Sequence, residues 1–231
     1  LADEAPVTLY THAPEASEVR VTAQRYELHG RRLKLSDNIE DWGKSPLVRH
    51  PTPLGQYMLT LSAKGYEDAR YPISVERIRG WESAPPNSST SKAVSLIPSG
   101  LVPDGFRYVP PGWFYAGGDP LVSNSVESKR RLWLDGFCCA IKHITHSEYI
   151  MFLNDLIARG EYDRAYHLRP RLRDEETDGL YEFSSAGVTL KESEFARLDW
   201  PANYTDYESA LAYCEWRAER DGLPYRLPAD M

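Results

Sequence analysis

Three cysteines are the residues of this sequence with the most direct capacity for redox chemistry. They are Cys138, Cys139 and Cys214, and no C-x-x-C pair is present. An odd number without such a pair speaks against a zinc site or a disulfide scaffold within the chain. Adjacent side chains of a strand point to opposite faces, so we expect at least one of Cys138 and Cys139 to be buried. For Cys214 two alternatives stay open: burial against a sheet, or a disulfide to a segment outside these residues, which needs an oxidising compartment.

His143 and His146 have a spacing that could suit a metal. Thr145 is predicted to cap a helix, however, so the two histidines lie on either side of a helix boundary and share no helical face. A metal site also needs a third ligand. The sequence contains no G-x-x-x-x-G-K-[ST] phosphate loop, and nothing in it brings Ser, His and Asp together as a triad. We therefore assign no catalytic residue and no metal ligand.

Trp200 and Tyr204 lie on either side of Pro201 in a predicted loop. Aromatic side chains on a loop either pack inward or form a binding surface, because they offer a large apolar area at a small entropic cost. Both alternatives stay open, and we take these two residues as the candidate ligand-binding residues.

Strand patterns dominate residues 7–79. They occur at 7–10, 19–23, 57–63 and 71–75, with Gly, Pro and Asn turn signals between them. No long helical period is present. Residues 1–81 are therefore predicted to form a small antiparallel β-sandwich without a helix of more than about two turns.

The character of the chain changes at residue 82. Residues 82–104 are rich in Pro and Ser and are predicted to be a linker. Residues 105–231 are predicted to form a second, independently packed domain, with strands at 106–109 and 132–137 and, between them, an aromatic stretch at 113–119 that runs into a glycine turn. Residues 161–200 are irregular, with an acidic stretch at 174–178, and a loop of this length is often functional.

Two helices are predicted in this second half. Thr145 and Glu148 fit a capping box, as do Thr205 and Glu208. The apolar positions predicted to face the core are Phe152, Leu153, Leu156 and Ile157 in the first helix, and Leu211, Cys214 and Ala218 in the second.

The composition is that of a soluble globular protein, with 42% hydrophobic and 26% charged residues. The net charge is −7. Residues 105–231 carry 15 basic and 21 acidic side chains, a net charge of −6 that argues against binding to a nucleic-acid backbone. No apolar run approaches the roughly 18 residues of a membrane span.

Four motifs follow one another in the second half: FRYVPPGWFYAGGD (106–119), RLWLDGFCCAIKHITHSEYIMFL (131–153), DWPANYTDYESALAYCEW (199–216) and YRLPAD (225–230). Together they resemble the N-terminal half of the formylglycine-generating enzyme domain, also called the sulfatase-modifying-factor domain. Residues 43–75 look like a PEGA-like β-domain, which in bacterial members lies between a Ser/Thr kinase and such a domain.

The resemblance implies an α+β protein in which a β-sandwich precedes part of a C-type-lectin-like domain. In the family, the last motif begins a helix and the domain continues well beyond it, so we expect the domain to be truncated after residue 231. The family's oxidase chemistry uses copper and a cysteine pair near the end of its domain, with calcium ligands also beyond this point. We therefore expect no cofactor in this chain. Its expected partners are the missing half of the domain and a protein or peptide ligand.

Three functions are consistent with the resemblance. The first is a non-catalytic ligand- or protein-binding accessory segment of a bacterial kinase-linked protein. The second is part of a copper-dependent formylglycine-generating oxidase that acts on a sulfatase cysteine. The third is a retroelement-diversified ligand-binding protein with the same lectin-like fold. The compartment stays open between cytoplasmic and extracytoplasmic. Because burial and Glu215 oppose thiolate formation, we expect residues 1–231 alone to have no oxidase activity.

Overall fold

The computed structural model describes residues 3–16, 18–88, 90–118, 129–171, 179–184, 186–191 and 197–228. Strands make up 42% and helices 17%, so the chain is an α+β protein. It divides into two compact units, Leu1–Ile141 and Lys142–Met231. No helix in the described ranges is both long and apolar enough to span a bilayer. The acidic stretch at 174–178 and the last three residues of the predicted terminal helix lie outside the described residues.

The first unit consists of strands. Those predicted near 7–10, 19–23, 57–63 and 71–75 are confirmed as β1, β3, β7 and β8. The bounds are β1 (Glu4–Leu9), β2 (Thr11–His12), β3 (Arg20–His29), β4 (Arg32–Leu35), β5 (Glu40–Lys44), β6 (Leu47–Pro53), β7 (Gly55–Ser62), β8 (Ala69–Val75), β9 (Trp81–Glu82), β10 (Val94–Ser95), β11 (Phe106–Val109), β12 (Gly112–Ala116), β13 (Arg130–Leu134) and β14 (Phe137–Ala140).

The larger sheet of this unit has the order β4-β3-β7-β8, with β5 also paired to β3. All of its pairings are antiparallel. Alternation sets its inner face: Tyr57, Leu59 and Leu61 of β7 are buried, whereas the residues between them are only half-buried. A three-stranded sheet, β6-β1-β9, adds Val7 and Leu9, which are fully buried in the same core.

Part of the segment 82–104, which was predicted to be a linker, packs against this core. Ser83, Val94 and Leu96 are buried, and the Ser83 hydroxyl donates a 2.6 Å hydrogen bond to the Lys92 carbonyl. The short strand β10 also pairs in parallel with β2. The Pro- and Ser-rich composition indicated flexibility, but alternate apolar residues at 94 and 96 supply enough buried area to fix the segment.

Two antiparallel strand pairs, β11 with β14 and β12 with β13, complete the first unit. The Tyr71 hydroxyl donates to the Pro111 carbonyl at 3.1 Å, and Trp113 Nε1 donates to the Ala84 carbonyl at 2.7 Å. Because of such contacts, the division between units falls after Ile141, which differs from the boundary predicted between residues 104 and 105. The region 132–137, predicted to be a single strand, contains the end of β13 and the start of β14. Gly136 lies between these two strands, and a Cβ at this position would lie 3.0 Å from Pro111 Cδ.

The second unit contains three helices and one β-hairpin in its described part. Two elements, α2 and the hairpin, lie in the region that the sequence predicted to be irregular. The bounds are α1 (His146–Ala158), α2 (Tyr162–His167), β15 (Tyr181–Ser184), β16 (Gly187–Leu190) and α3 (Tyr207–Asp221).

The predicted capping box of α1 is confirmed. The Thr145 hydroxyl accepts a hydrogen bond from the Glu148 amide at 3.3 Å, and the Glu148 carboxylate accepts one from the Thr145 amide at 2.8 Å. Phe152, Leu153 and Leu156 are buried as predicted.

The start and buried face of α3 differ from the prediction. The N-cap is Asp206, whose carboxylate accepts the Ser209 amide at 2.8 Å, rather than Thr205. An ionised acceptor also interacts favourably with the positive end of the helix dipole, which favours the later cap. The buried apolar residues of α3 are Ala212, Tyr213 and Trp216, not the predicted Leu211, Cys214 and Ala218.

The aromatic residues explain why a different face of α3 is buried from the one predicted. Tyr213 stacks on Tyr149 with ring centroids 5.7 Å apart, and Trp216 contacts Phe152 at 5.4 Å. Burying two large rings removes more apolar area from water than burying a leucine and a cysteine. Leu211 is left 37% exposed as a result.

Candidate ligand-binding surface

The loop that carries Trp200 and Tyr204 is held against the start of α1 by main-chain hydrogen bonds. The amides of His146 and Ser147 donate to the carbonyls of Trp200 and Leu198 at 2.9 and 3.0 Å. The Ala202 amide donates to the Ile144 carbonyl at 2.8 Å, so the loop is fixed on both sides of Pro201. These hydrogen bonds hold the backbone of the loop, and the side chains of Trp200 and Tyr204 are exposed.

Tyr204 has an unusual backbone conformation, with φ at +63°. Residues with a Cβ rarely adopt this left-handed region, so the position stores strain. The Tyr204 carbonyl accepts a 3.0 Å hydrogen bond from the Arg171 amide, which helps to hold the conformation. Such strain is typical of sites where the direction of a side chain matters more than local stability.

Four large apolar side chains between residues 198 and 207 are exposed, and we call them the aromatic surface. Trp200 is 43% and Tyr204 58% exposed. The other two members are Leu198, 54% exposed, and Tyr207, 74% exposed at the first position of α3. Exposed apolar groups concentrated in so short a segment are typical of an interaction site rather than of an ordinary surface.

Polar groups border the aromatic surface. Arg197 and Asp199 form an ion pair at 3.1 Å, and Glu208 lies 3.7 Å from His167. Hydrogen bonding to Ser209 lowers the pKa of the Asp206 carboxyl from its ordinary value. Charged groups close in the chain to exposed apolar ones are common at protein interfaces.

The lowered pKa of Asp206 predicts how the stability of the fold around α3 changes at acidic pH. Because the folded pKa is lowered below 3.8, the carboxylate stabilises the fold above that pH and the contribution is lost as pH falls through the folded pKa. Asp206→Asn keeps a good N-cap but removes the charge. We expect the variant to show a shallower loss of stability below about pH 4 in urea titrations followed by circular dichroism. An unchanged acid slope would contradict this role.

His146 lies beneath the loop but is not available to a ligand. It is 2% exposed, and its Nδ1 is 2.8 Å from the Tyr181 hydroxyl. Burial lowers the pKa of His146 and raises that of Tyr181, so both groups are neutral and paired. His143 is exposed, and no group of three or more His, Cys, Asp or Glu in the described ranges could hold a metal ion. His146 therefore has a structural role in its pair with Tyr181.

Cys138 and Cys139 are both exposed, contrary to the expectation that at least one is buried. Their strand, β14, pairs with β11 alone among the described strands, and neither buried cluster of the described residues includes a residue of β14. Partial desolvation raises the pKa of the Cys138 thiol. Cys214 is half-buried, and its pKa is raised by burial and by Glu215, against an opposing effect of Arg217. These shifts oppose thiolate formation at Cys138 and Cys214.

The structure places both predicted binding residues, Trp200 and Tyr204, on the exposed side of one fixed loop. Leu198 and Tyr207 were not predicted as members. For Tyr207 a signal was present, because it lies in the first turn after the predicted cap Thr205, and first-turn positions of a helix often face solvent.

Comparisons with family models, with curated proteins and with solved structures returned no match. The resemblance to the formylglycine-generating enzyme domain therefore stays a prediction.

Proposed function

We propose that this chain is a non-catalytic ligand- or protein-binding accessory segment of a bacterial kinase-linked protein. Its second half would be part of a formylglycine-generating-enzyme-like domain with a C-type-lectin-like fold. The order of a strand pair, a capped helix, a long connection and a second helix that carries Tyr213, Cys214 and Trp216 supports that assignment.

The observation that carries the proposal is the aromatic surface. Its backbone is held by hydrogen bonds within the protein, so little conformational entropy is lost when a partner binds. Trp and Tyr are also the residues that contribute most often to binding hot spots. A peptide or protein segment with apolar side chains is the partner class that such a surface recognises.

A peptide selection tests this function without knowledge of the natural ligand. The immobilised chain is exposed to a phage library of random linear peptides, and enriched peptides are synthesised and titrated. We expect Trp200→Ala and Tyr204→Ala each to weaken binding by about 2 kcal/mol, roughly 30-fold, as is usual for hot-spot residues. Tyr162→Ala is the matched control, because Tyr162 is also a 42% exposed tyrosine of the second unit.

Two outcomes would count against the proposal. One is the absence of any enriched peptide, and the other is enriched peptides whose affinity Trp200→Ala and Tyr204→Ala leave unchanged. The oxidase alternative has its own assay, in which a Cys-x-Pro-x-Arg peptide is incubated with copper and oxygen and then weighed. An aldehyde product that is lost on replacing Cys138, Cys139 or Cys214 by serine would favour that alternative.

A further inference from the structure

The strand β3 extends beyond its pairing with β7. It spans Arg20–His29, but its register with β7 ends at the pair Arg25 and Tyr57. Beyond that point its residues pair with β4 alone among the described strands, from Tyr26 with Leu35 to His29 with Arg32. Gly30, with φ at +63°, begins the turn. We call residues 26–35 the distal ribbon.

The two faces of the distal ribbon differ sharply in polarity. Side chains directly opposite each other in an antiparallel pair lie on the same face. One face therefore carries only Tyr26, Leu28, Leu33 and Leu35. The other face carries only Glu27, His29, Arg32 and Lys34.

The apolar face of the distal ribbon is not an extension of the core. In the inner half of β3 the core-facing residues are Val21 and Ala23, and their face continues through odd-numbered positions to Glu27 and His29. The apolar residues of the distal ribbon occupy the even positions of β3, which face away from the core. The polarity of the strand is thus inverted where its pairing with β7 ends.

The leucines of the distal ribbon are exposed to solvent. Leu28 and Leu33 form a directly opposed pair and are 71% and 56% exposed. Every residue from 27 to 34 is exposed. Two paired leucines that are exposed to water lower the solubility of a protein. Their presence therefore indicates that this face is used for binding.

Positive charge is concentrated in the same ten residues as this leucine pair. Residues 26–35 contain the basic side chains Arg31, Arg32 and Lys34 and one carboxylate, Glu27, which gives a net charge of +2. The whole chain carries −7, so the remaining residues carry −9. The carboxylate of Glu27 lies 3.6 Å from His29. The distal ribbon is therefore a cationic and apolar projection on an acidic protein.

We propose that the distal ribbon docks the protein on an anionic lipid surface. Leu28 and Leu33 enter the boundary between headgroups and acyl chains, and the side chains of residues 31, 32 and 34 contact lipid phosphate and carboxylate groups. Interfacial amphipathic segments bind membranes in the same way: their apolar face is inserted, and their Lys and Arg side chains bind anionic headgroups. Long basic side chains reach the headgroup level even from the opposite face.

A lipid surface fits better than two other anionic partners. Nucleic acid would use the basic side chains but leave the leucine pair in water. A stable protein interface usually involves 20–30 residues on each side, and the distal ribbon offers about ten. A bilayer needs no shape complementarity and accepts a small inserted apolar group together with nearby positive charge.

Vesicle co-sedimentation of the full 231-residue chain tests the proposal. We expect binding to vesicles that contain about one third phosphatidylserine to be at least tenfold stronger than binding to pure phosphatidylcholine, and to weaken as salt rises. Leu28→Gln with Leu33→Gln, and separately Arg31→Glu with Arg32→Glu, should each lower binding at least tenfold. These side chains are exposed, so the variants should keep the wild-type thermal unfolding curve.

Matched substitutions elsewhere in the first unit serve as controls. Ile78→Gln removes a 94% exposed apolar side chain, and Lys64→Glu reverses an exposed charge in a turn. Both should bind vesicles as the wild type does. The aromatic surface belongs to the second unit, so failure of this proposal and failure of the proposed function are separately observable.

Several results would overturn the proposal. They are equal binding to neutral and anionic vesicles, no binding at low salt, and wild-type binding by both ribbon variants. Tight binding of a DNA duplex that is lost in Arg31→Glu with Arg32→Glu, without vesicle binding, would assign the distal ribbon to nucleic acid instead.

Discussion

Replacing Phe152 with alanine is expected to destabilise the second unit by about 3–5 kcal/mol, the usual cost of removing a buried phenylalanine. Phe152 has no exposed surface, and its ring contacts those of Tyr149, Tyr213 and Trp216 at centroid distances of 5.4, 5.7 and 5.4 Å. The cavity would lie between α1 and α3, where the remaining rings cannot close it without losing their own contacts. Differential scanning calorimetry measures the loss.

The matched control for Phe152→Ala is Leu59→Ala in the core of the first unit, where Leu59 is also fully buried. The two buried clusters have no residue in common. Each substitution should therefore lower the temperature of one calorimetric transition and leave the temperature of the other unchanged. If both substitutions shift a single shared transition by the same amount, the units do not have separate stabilities.

Strand alternation and one helix cap were readable from the sequence because both depend on neighbouring residues. The alternation at 57–63 places Tyr57, Leu59 and Leu61 on one face, and β7 has that face buried. The capping box of Thr145 and Glu148 likewise involves residues three positions apart. Such short-range patterns fix local structure in a wide range of surroundings.

The buried face of α3 could not be read in the same way. The pattern favoured Leu211 and Cys214, but the position of Tyr149 and Phe152 on α1 decides which residues of α3 have an apolar partner. The exposure of Cys138 and Cys139 has a similar origin, because it depends on which parts of the chain pack against the faces of β14. Long-range packing sets these properties, and local composition does not encode it.

Only part of the candidate site could be predicted from the sequence. Trp200 and Tyr204 were identified because aromatic residues beside a proline in a polar segment indicate an exposed loop. The left-handed backbone at Tyr204 had no sequence signal, since Tyr is not a residue that favours positive φ. The distal ribbon was also not predicted, because its apolar residues fit an ordinary buried strand until the end of β7 is known.

Gly80 is a position of the first unit where a single added methyl group should have a large effect. It lies in the turn between β8 and β9, where its amide donates to the Glu76 carbonyl at 2.7 Å. A Cβ there would lie 2.2 Å from the Pro6 carbonyl oxygen and 3.1 Å from Pro6 Cδ. These atoms are close because β9 pairs with β1, so relief of the clash would require moving a strand of the core.

Gly80→Ala is therefore expected to destabilise the first unit by about 2–4 kcal/mol, from overpacking together with the cost of positive φ for a residue with a Cβ. Gly100→Ala separates the two causes: Gly100 has φ at +84°, but a Cβ there meets nothing within 4 Å. Gly100→Ala should lower the free energy of unfolding by only about 1 kcal/mol, because only the cost of positive φ applies there. Urea unfolding measures both, and equal losses in the two variants would show that the approach of Pro6 to Gly80 is not a tight contact in solution.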